Sequence, residues 1–313
     1  MTRFPVALRA LLGVFVGLAI FGAFTLGVMS WGYTFSRLDP EAADLRLPRA
    51  DRGASARLGF VDLASAAPLS NFIVQGSGWF RAPIVFRTAV IQHEDGTLLW
   101  NSGPAFQTPG PSFPTWNPFG RLTHVRSFAS VVEETGARRV ILPLAQWHTA
   151  GGALEAGNAR ILIPSGEKWG ATDGPMPRRY GAEPQAWDGV TNISNVPLGR
   201  GAGALGRRTW DVFGDGSVVV IGLRGAAWDE CALLVTVESG ERYLLVAGGV
   251  WTMDQLLHRR PRHFMSSFRL DRNRMQLAYT IRVLEAAHAL DGVTVLPVHD
   301  GTLRLPQWPE VME

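Results

Sequence analysis

Hydrophobic positions change their spacing several times along the chain, and each change marks an element. Residues 10–33 form a long run without a single charge. As a helix rising ~1.5 Å per residue it would extend ~36 Å, enough to cross a ~30 Å hydrocarbon layer. Arg3 and Arg9 precede the run, and Trp31 and Tyr33 stand at its far end, where amphipathic rings favour the headgroup level. The pattern predicts a short basic tail over 1–9, a transmembrane helix over 10–33, a Pro-, Ala- and Arg-rich stalk over 34–70 and one globular domain over 71–313. The basic tail favours a cytoplasmic N-terminus, which puts a membrane-anchored domain on the periplasmic side. Gly13 and Gly17 form a Gly-x-x-x-Gly pair; it reads equally as a close-packing face for another membrane helix or as ordinary transmembrane glycine.

Beyond residue 71 the period alternates between two and 3.6. Strands fit 84–91 and 96–100, with turn residues Glu94, Asp95 and Gly96 at their junction. A helix fits 125–135, and buried strands fit 139–142 and 159–163. A hairpin fits 211–220 around Gly214-Asp215-Gly216, and strands follow at 232–237 and 243–246. Apolar Met275, Leu277, Ile281, Leu284 and Ala287 place one face on a helix over 271–290, and a strand over 294–297 closes the pattern. Strands in two batches, each followed by helices, imply two sheets between helical layers.

Composition removes several function classes. Among 313 residues the formal net charge is only +3, and no dense basic stripe alternates with stacking aromatics, so nucleic acid is not an expected partner. Cys231 is the one cysteine, which excludes an intrachain disulfide and a cysteine-rich zinc site; within an apolar strand it reads as an inert buried thiol. The Gly-x-G-x-x-Gly spacing over 201–206 leads into a hairpin instead of a helix, so it is a loop and not a dinucleotide fingerprint. His258 to His263 is a basic cluster that fits either anionic headgroups, an acidic partner or a solvated surface. Two loops concentrate aromatics among prolines: one carries Phe106, Phe113, Trp116 and Phe119, the other Trp169 and Trp187. Stiffened aromatic loops suit a protein interface, or they fold back to fill a pocket.

Five segments carry a family resemblance by their order and spacing. They are GTLLWNSGP from Gly96, VILPLAQWHTAGG from Val140, DVFGDGSVVVIGLRG from Asp211, YLLVAGGVWT from Tyr243 and VLPVHD from Val295. Together they resemble the metallo-β-lactamase superfamily, and the hairpin and closing strand are most similar to its lactonase and small-ester-hydrolase branch. The resemblance implies an α/β fold, a metallo-β-lactamase-like αββα four-layer sandwich, here preceded by one transmembrane helix. In that family two divalent metals held by imidazoles and carboxylates lower the pKa of a bridging water, which attacks a carbonyl or phosphoryl group.

The ligand positions implied by the resemblance are altered one by one. Leu144 and Gln146 stand where the first two histidines of the metal loop belong, His148 replaces its aspartate and Thr149 its third histidine. Ala226 stands at the histidine of the Pro-Gly-His-Thr turn, Gly249 at the bridging aspartate, and only His299 keeps the family residue. Asn101 takes the place of the turn aspartate, while the turn glycines Gly151, Gly152, Gly225 and Gly248 are kept. Leucine and alanine offer no lone pair, so no metal or other cofactor is expected; His148 and His299 could hold at most one weak ion. The expectation is a non-catalytic, membrane-anchored subunit of a larger membrane complex, respiratory or photosynthetic, with the bilayer and that complex as partners. A membrane-tethered hydrolase with one weakly held metal and a pocket that binds a small ligand are the alternatives.

Overall fold

The computed structural model describes residues 13–23, 45–105, 119–164, 190, 192–199, 203–227, 229–263, 266–267 and 270–312. Among these residues twelve strands form two sheets. The seven-stranded sheet has the order β4-β1-β2-β3-β5-β6-β7 and the five-stranded sheet the order β12-β11-β10-β9-β8. The first sheet uses β1 (Arg57–Ala66), β2 (Ile84–His93), β3 (Gly96–Trp100), β4 (Thr123–His124), β5 (Arg139–Ile141), β6 (Arg160–Ile163) and β7 (Ile193–Asn195). The second uses β8 (Thr209–Asp211), β9 (Val218–Leu223), β10 (Glu230–Thr236), β11 (Arg242–Val246) and β12 (Val293–Pro297).

Alternation explains the layering. Phe60, Ile91, Leu98 and Trp100 point from the first sheet, and Val220, Leu233, Val235 and Leu245 from the second, into one buried cluster between them. Cys231 lies in that cluster, fully buried, as its apolar strand predicts. The opposite faces are covered by helices. On the first sheet lies α2 (Phe128–Thr135), which buries Phe128 and Val131. Ser127 caps its N-terminus by accepting from the Ser130 amide at 3.3 Å, and Gly136 ends it in the left-handed region at φ 62°. On the second lies α5 (Arg274–His288), capped by Asn273 and burying Leu277, Ile281, Leu284 and Ala287. Each such aliphatic side chain contributes up to about 1.5–3 kcal/mol. The result is the αββα sandwich. Shorter helices α1 (Ser70–Ile73), α3 (Trp147–Ala150) and α4 (Met253–Leu257) lie along the ends of the sheets.

Two predicted boundaries are corrected. The stretch read as a stalk contains β1, which pairs with β2 from Arg57↔Gln92 to Ala66↔Ile84. Leu58, Phe60, Val61, Leu63 and Ala64 are buried there, so the sandwich starts well before residue 71. The transmembrane helix is not supported: residues 13–23 are helical, but no helix among the described residues is long and apolar enough to cross a membrane. Gly13 and Gly17 sit on that segment with open space beside them.

The last segment of the chain runs along β1. Trp308 and Met312 donate to the Phe60 and Leu58 carbonyls, both at 2.7 Å, and Phe60 donates to the Pro306 carbonyl at 3.0 Å. This places residues 306–312 against the side of β1 that β2 does not cover.

Candidate functional site: a buried histidine pair and a buried guanidinium

The residues singled out by the resemblance converge at one end of the sandwich. His148 lies in α3, just after β5; His299 follows β12. The structure brings the two rings together, with centroids 5.5 Å apart and planes tilted by 59°. Both are fully buried. Around His148 stand Phe119 at 5.4 Å, Trp147 at 5.6 Å, Trp251 at 5.7 Å and Phe86 at 6.4 Å. The backbone carries this cage on tight approaches. A Cβ on Gly152 would overlap the Ser102 carbonyl, and one on Gly225, at φ +123°, would overlap the backbone of Leu277. That is why these glycines remain where ligand residues have changed.

The two imidazoles are not hydrogen-bonded alike. His299 donates from Nδ1 to the Val85 carbonyl at 3.1 Å. A carbonyl only accepts, so Nδ1 carries the proton and Nε2 presents a lone pair; that Nε2 has no partner. His148 has none at either nitrogen. Burial disfavours the imidazolium at both. It holds the His148 pKa well below the ordinary histidine value, with His299 and the Arg262 charge acting in the same sense. It pushes His299 down to about 3, partly opposed by the Val85 hydrogen bond and assisted by Arg262 and Arg87. Both rings are therefore neutral at pH 7.

The remaining altered positions are used by the protein itself. Leu144 and Ala226 are buried apolar contacts. Gln146 donates from Nε2 to the Leu270 carbonyl at 2.8 Å. The Thr149 hydroxyl lies 3.0 and 2.9 Å from the Leu144 and Gln146 carbonyls and closes the start of α3. The Gly249 amide donates to Glu230 Oε1 at 2.6 Å. Asn101, at φ 72°, donates to the Arg87 carbonyl at 2.7 Å and keeps the turn that an aspartate makes in the resembled family. Asp300 accepts from the Met253 and Thr302 amides, both at 2.8 Å.

Sequence reasoning missed the strongest charge in the site. The basic cluster at 258–263 divides in two. Arg259 pairs with Glu285 and Arg260 with Asp254 on the outside, while Arg262 and His263 are completely buried. The Arg262 guanidinium stacks 3.9 Å over the Trp251 ring and pairs with buried Asp271. Burial pushes the Asp271 carboxyl up, and Arg262 beside it pulls the other way. Glu230, also fully buried, is a second counter-charge to Arg262. The signal for this was present: Glu230 heads a strand whose seven residues are all buried, and such a carboxylate requires a buried cation. Arg262 Nε and Nη2 have no hydrogen-bond acceptor.

The donor set does not fit the family's metal centre. Only two imidazoles remain at the ligand positions, and among the described residues no three His, Cys, Asp or Glu side chains are placed to hold one ion. Of the aromatic-loop residues, Phe119 is buried in the cage instead of offering a partner surface. Phe106, Phe113, Trp116, Trp169 and Trp187 lie outside the described residues.

No family model matches the sequence, and no curated relative matches it. Solved structures match the fold. An N-acyl homoserine lactone hydrolase with the product N-hexanoyl-L-homoserine at its catalytic metal center superposes with a TM-score of 0.63 at 12% identity, over 85% of this chain and 100% of that one. A probable metal-dependent hydrolase from Staphylococcus aureus gives 0.58 at 9% identity, over 81% and 91%. A hydrolase of the β-lactamase superfamily gives 0.51 at 13% identity, over 84% and 91%. The chain thus has the metallo-β-lactamase fold, as the five segments implied. The same comparison corrects the expectation of a non-catalytic, membrane-anchored subunit that is not an enzyme, because the structures sharing the fold are hydrolases. For the expected membrane location, no helix among the described residues is long and apolar enough to cross a membrane.

Proposed function

We propose that the chain is a hydrolase of small ester- or lactone-type carbonyl compounds that works through side chains instead of a dinuclear metal centre. The observation that carries this reading is the fully buried, neutral His148, which has no partner at either ring nitrogen. Leaving two buried polar atoms unpaired costs about 1–3 kcal/mol each, a cost tolerated where a water or substrate completes the site. The hydrolases that share the fold support the same reaction class.

In this reading His148 accepts a proton from a water whose oxygen attacks the carbonyl carbon. The unpaired Nε–H and Nη2–H of Arg262 are the available donors for the oxyanion that develops. The leaving alkoxide then takes the proton back from His148, giving acid and alcohol. A base held so far down is a weak one, so turnover is slow. Phe119 lines both the histidine cage and a neighbouring 710 Å³ cavity with Leu69, Phe72, Ile84 and Val85 on its walls, which offers room for the body of a substrate. Hydrolysis of a panel of aryl esters and acyl lactones by metal-stripped protein tests the proposal. Loss of roughly 10²–10⁴-fold in His148→Gln is expected; a variant as active as the parent, or no turnover of any panel member, sinks it.

A further inference from the structure

We infer that Arg262 and Glu230 supply from within the chain the charges that two metals and a bridging carboxylate supply in the resembled family, so that the folded protein excludes divalent metal from this site. This goes beyond the proposed reaction and does not depend on it.

Three observations converge. Glu230 reaches the space of the missing aspartate from another strand. A Cβ built on Gly249 would lie 3.3 and 3.5 Å from the two Glu230 carboxylate oxygens, and the Gly249 amide already donates to one of them. The adjacent Gly248 is needed too, because a Cβ there would overlap the same carboxylate. Glu230 is a counter-charge to a buried cation: Arg262 has no exposed surface, stacks 3.9 Å over the Trp251 ring and is paired with Asp271. Trp251 in turn meets the His148 ring edge-on at 85°. Lastly, the His148 ring that Trp251 meets stands 5.5 Å from that of His299, and these are the two family ligand positions that still carry an imidazole.

A divalent ion brought to those imidazoles would face a fixed positive charge across a low-dielectric interior, where like charges repel far more than in water. A guanidinium also needs no loading. Its charge is present as soon as the chain folds, and Asp271 and Glu230 offset the cost of burying it.

The test uses the full chain incubated with zinc, dialysed and assayed by elemental analysis, with melting curves taken with and without EDTA. Substoichiometric zinc and an EDTA-insensitive Tm are expected for the parent. Arg262→Met strands two buried carboxylates and is expected to lower Tm by on the order of 10 °C. Freed of the fixed charge, it is also expected to bind zinc at least roughly tenfold more tightly than the parent. A purely structural arginine would give the first effect without the second. Stoichiometric zinc in the parent whose removal lowers Tm overturns the inference, as does unchanged zinc affinity in Arg262→Met. If that variant does not fold, Arg262→Gln, which stays polar but uncharged, replaces it: tighter zinc binding than the parent is expected, and unchanged zinc affinity overturns the inference. Arg262→Lys, which keeps the charge, is then expected to behave as the parent does toward zinc. No readout involves turnover, so a chain without hydrolytic activity leaves the inference standing.

Discussion

His93 and His148 occupy opposite ends of the sandwich and are treated in opposite ways. His93 closes β2, stacks on Phe213 at 3.9 Å and bonds through Nε2 to Asp215 at 2.9 Å. Asp215 is itself engaged by the Ser217 amide and hydroxyl. Partial burial works to raise its carboxyl, but the hydrogen bonds from Ser217 and His93 bring it below the ordinary value. His148, near the start of the same strand, also sits among aromatic rings, yet among the described residues no group answers either nitrogen. One end of the molecule spends its polar groups on holding a turn. At the other end both His148 nitrogens stay without a partner among the described residues, inside an apolar cage.

The largest expected effect that sharpens this contrast is on acid stability. The folded-state pKa of His299 is about 3, below the unfolded value, so the unfolded chain takes up the proton first. Stability is therefore fully present above about pH 6.5 and falls as pH drops toward 3, by up to about 1.4 kcal/mol per pH unit for each such imidazole. His148, shifted in the same direction, adds to the slope. Urea melts between pH 7 and 4 check this, and a flat profile would mean that the two imidazoles titrate in the fold as they do in the unfolded chain.

Next comes the cage. Phe119→Ala removes a fully buried ring that touches Phe86, Trp147, His148 and Trp251, at an expected cost of about 3–5 kcal/mol. It also widens the way from the 710 Å³ cavity to the histidines, so diethylpyrocarbonate should modify His148 faster than in the parent. An unchanged modification rate would mean that Phe119 is not the barrier.

Smaller effects separate the two histidines directly. His148→Leu exchanges two unpaired polar atoms for hydrocarbon and should raise stability by about 1 kcal/mol while removing activity. A loss of stability instead would put His148 in the same structural class as His93. His93→Ala breaks the Asp215 pair and is expected to cost about 1 kcal/mol or less with hydrolysis unchanged. Denaturant titration measures both.

Much of this was legible in the sequence, and the losses have physical causes. The strands at 84–91, 96–100 and 243–246 and the long helix showed their period because one face is apolar. Strand β1 did not: Gly59 and Asp62 interrupt it, and the Pro- and Arg-rich residues before it have the composition of a linker. Its partner β2 is the next strand, but α1 and the residues around it separate the two, so no tight hairpin turn marks the pairing. The convergence of His148 and His299 followed from motif order. Arg262 was hidden by its neighbours, since three arginines and two histidines within six residues look like a solvated patch. Only the pairing of a carboxylate at the head of an all-buried strand with a distant cation could have exposed it.

The strip at 306–312 has a bearing on how the molecule behaves in company. Strand β1 offers its outer amides and carbonyls at Leu58 and Phe60, and these are satisfied by Pro306, Trp308 and Met312. Shorn of that strip, the border of the larger sheet would display unmet main-chain groups over hydrophobic residues, an invitation to zip onto a neighbouring molecule. Seven residues of irregular backbone thus act as selvedge, keeping a broad β-structure from unravelling into its own kind.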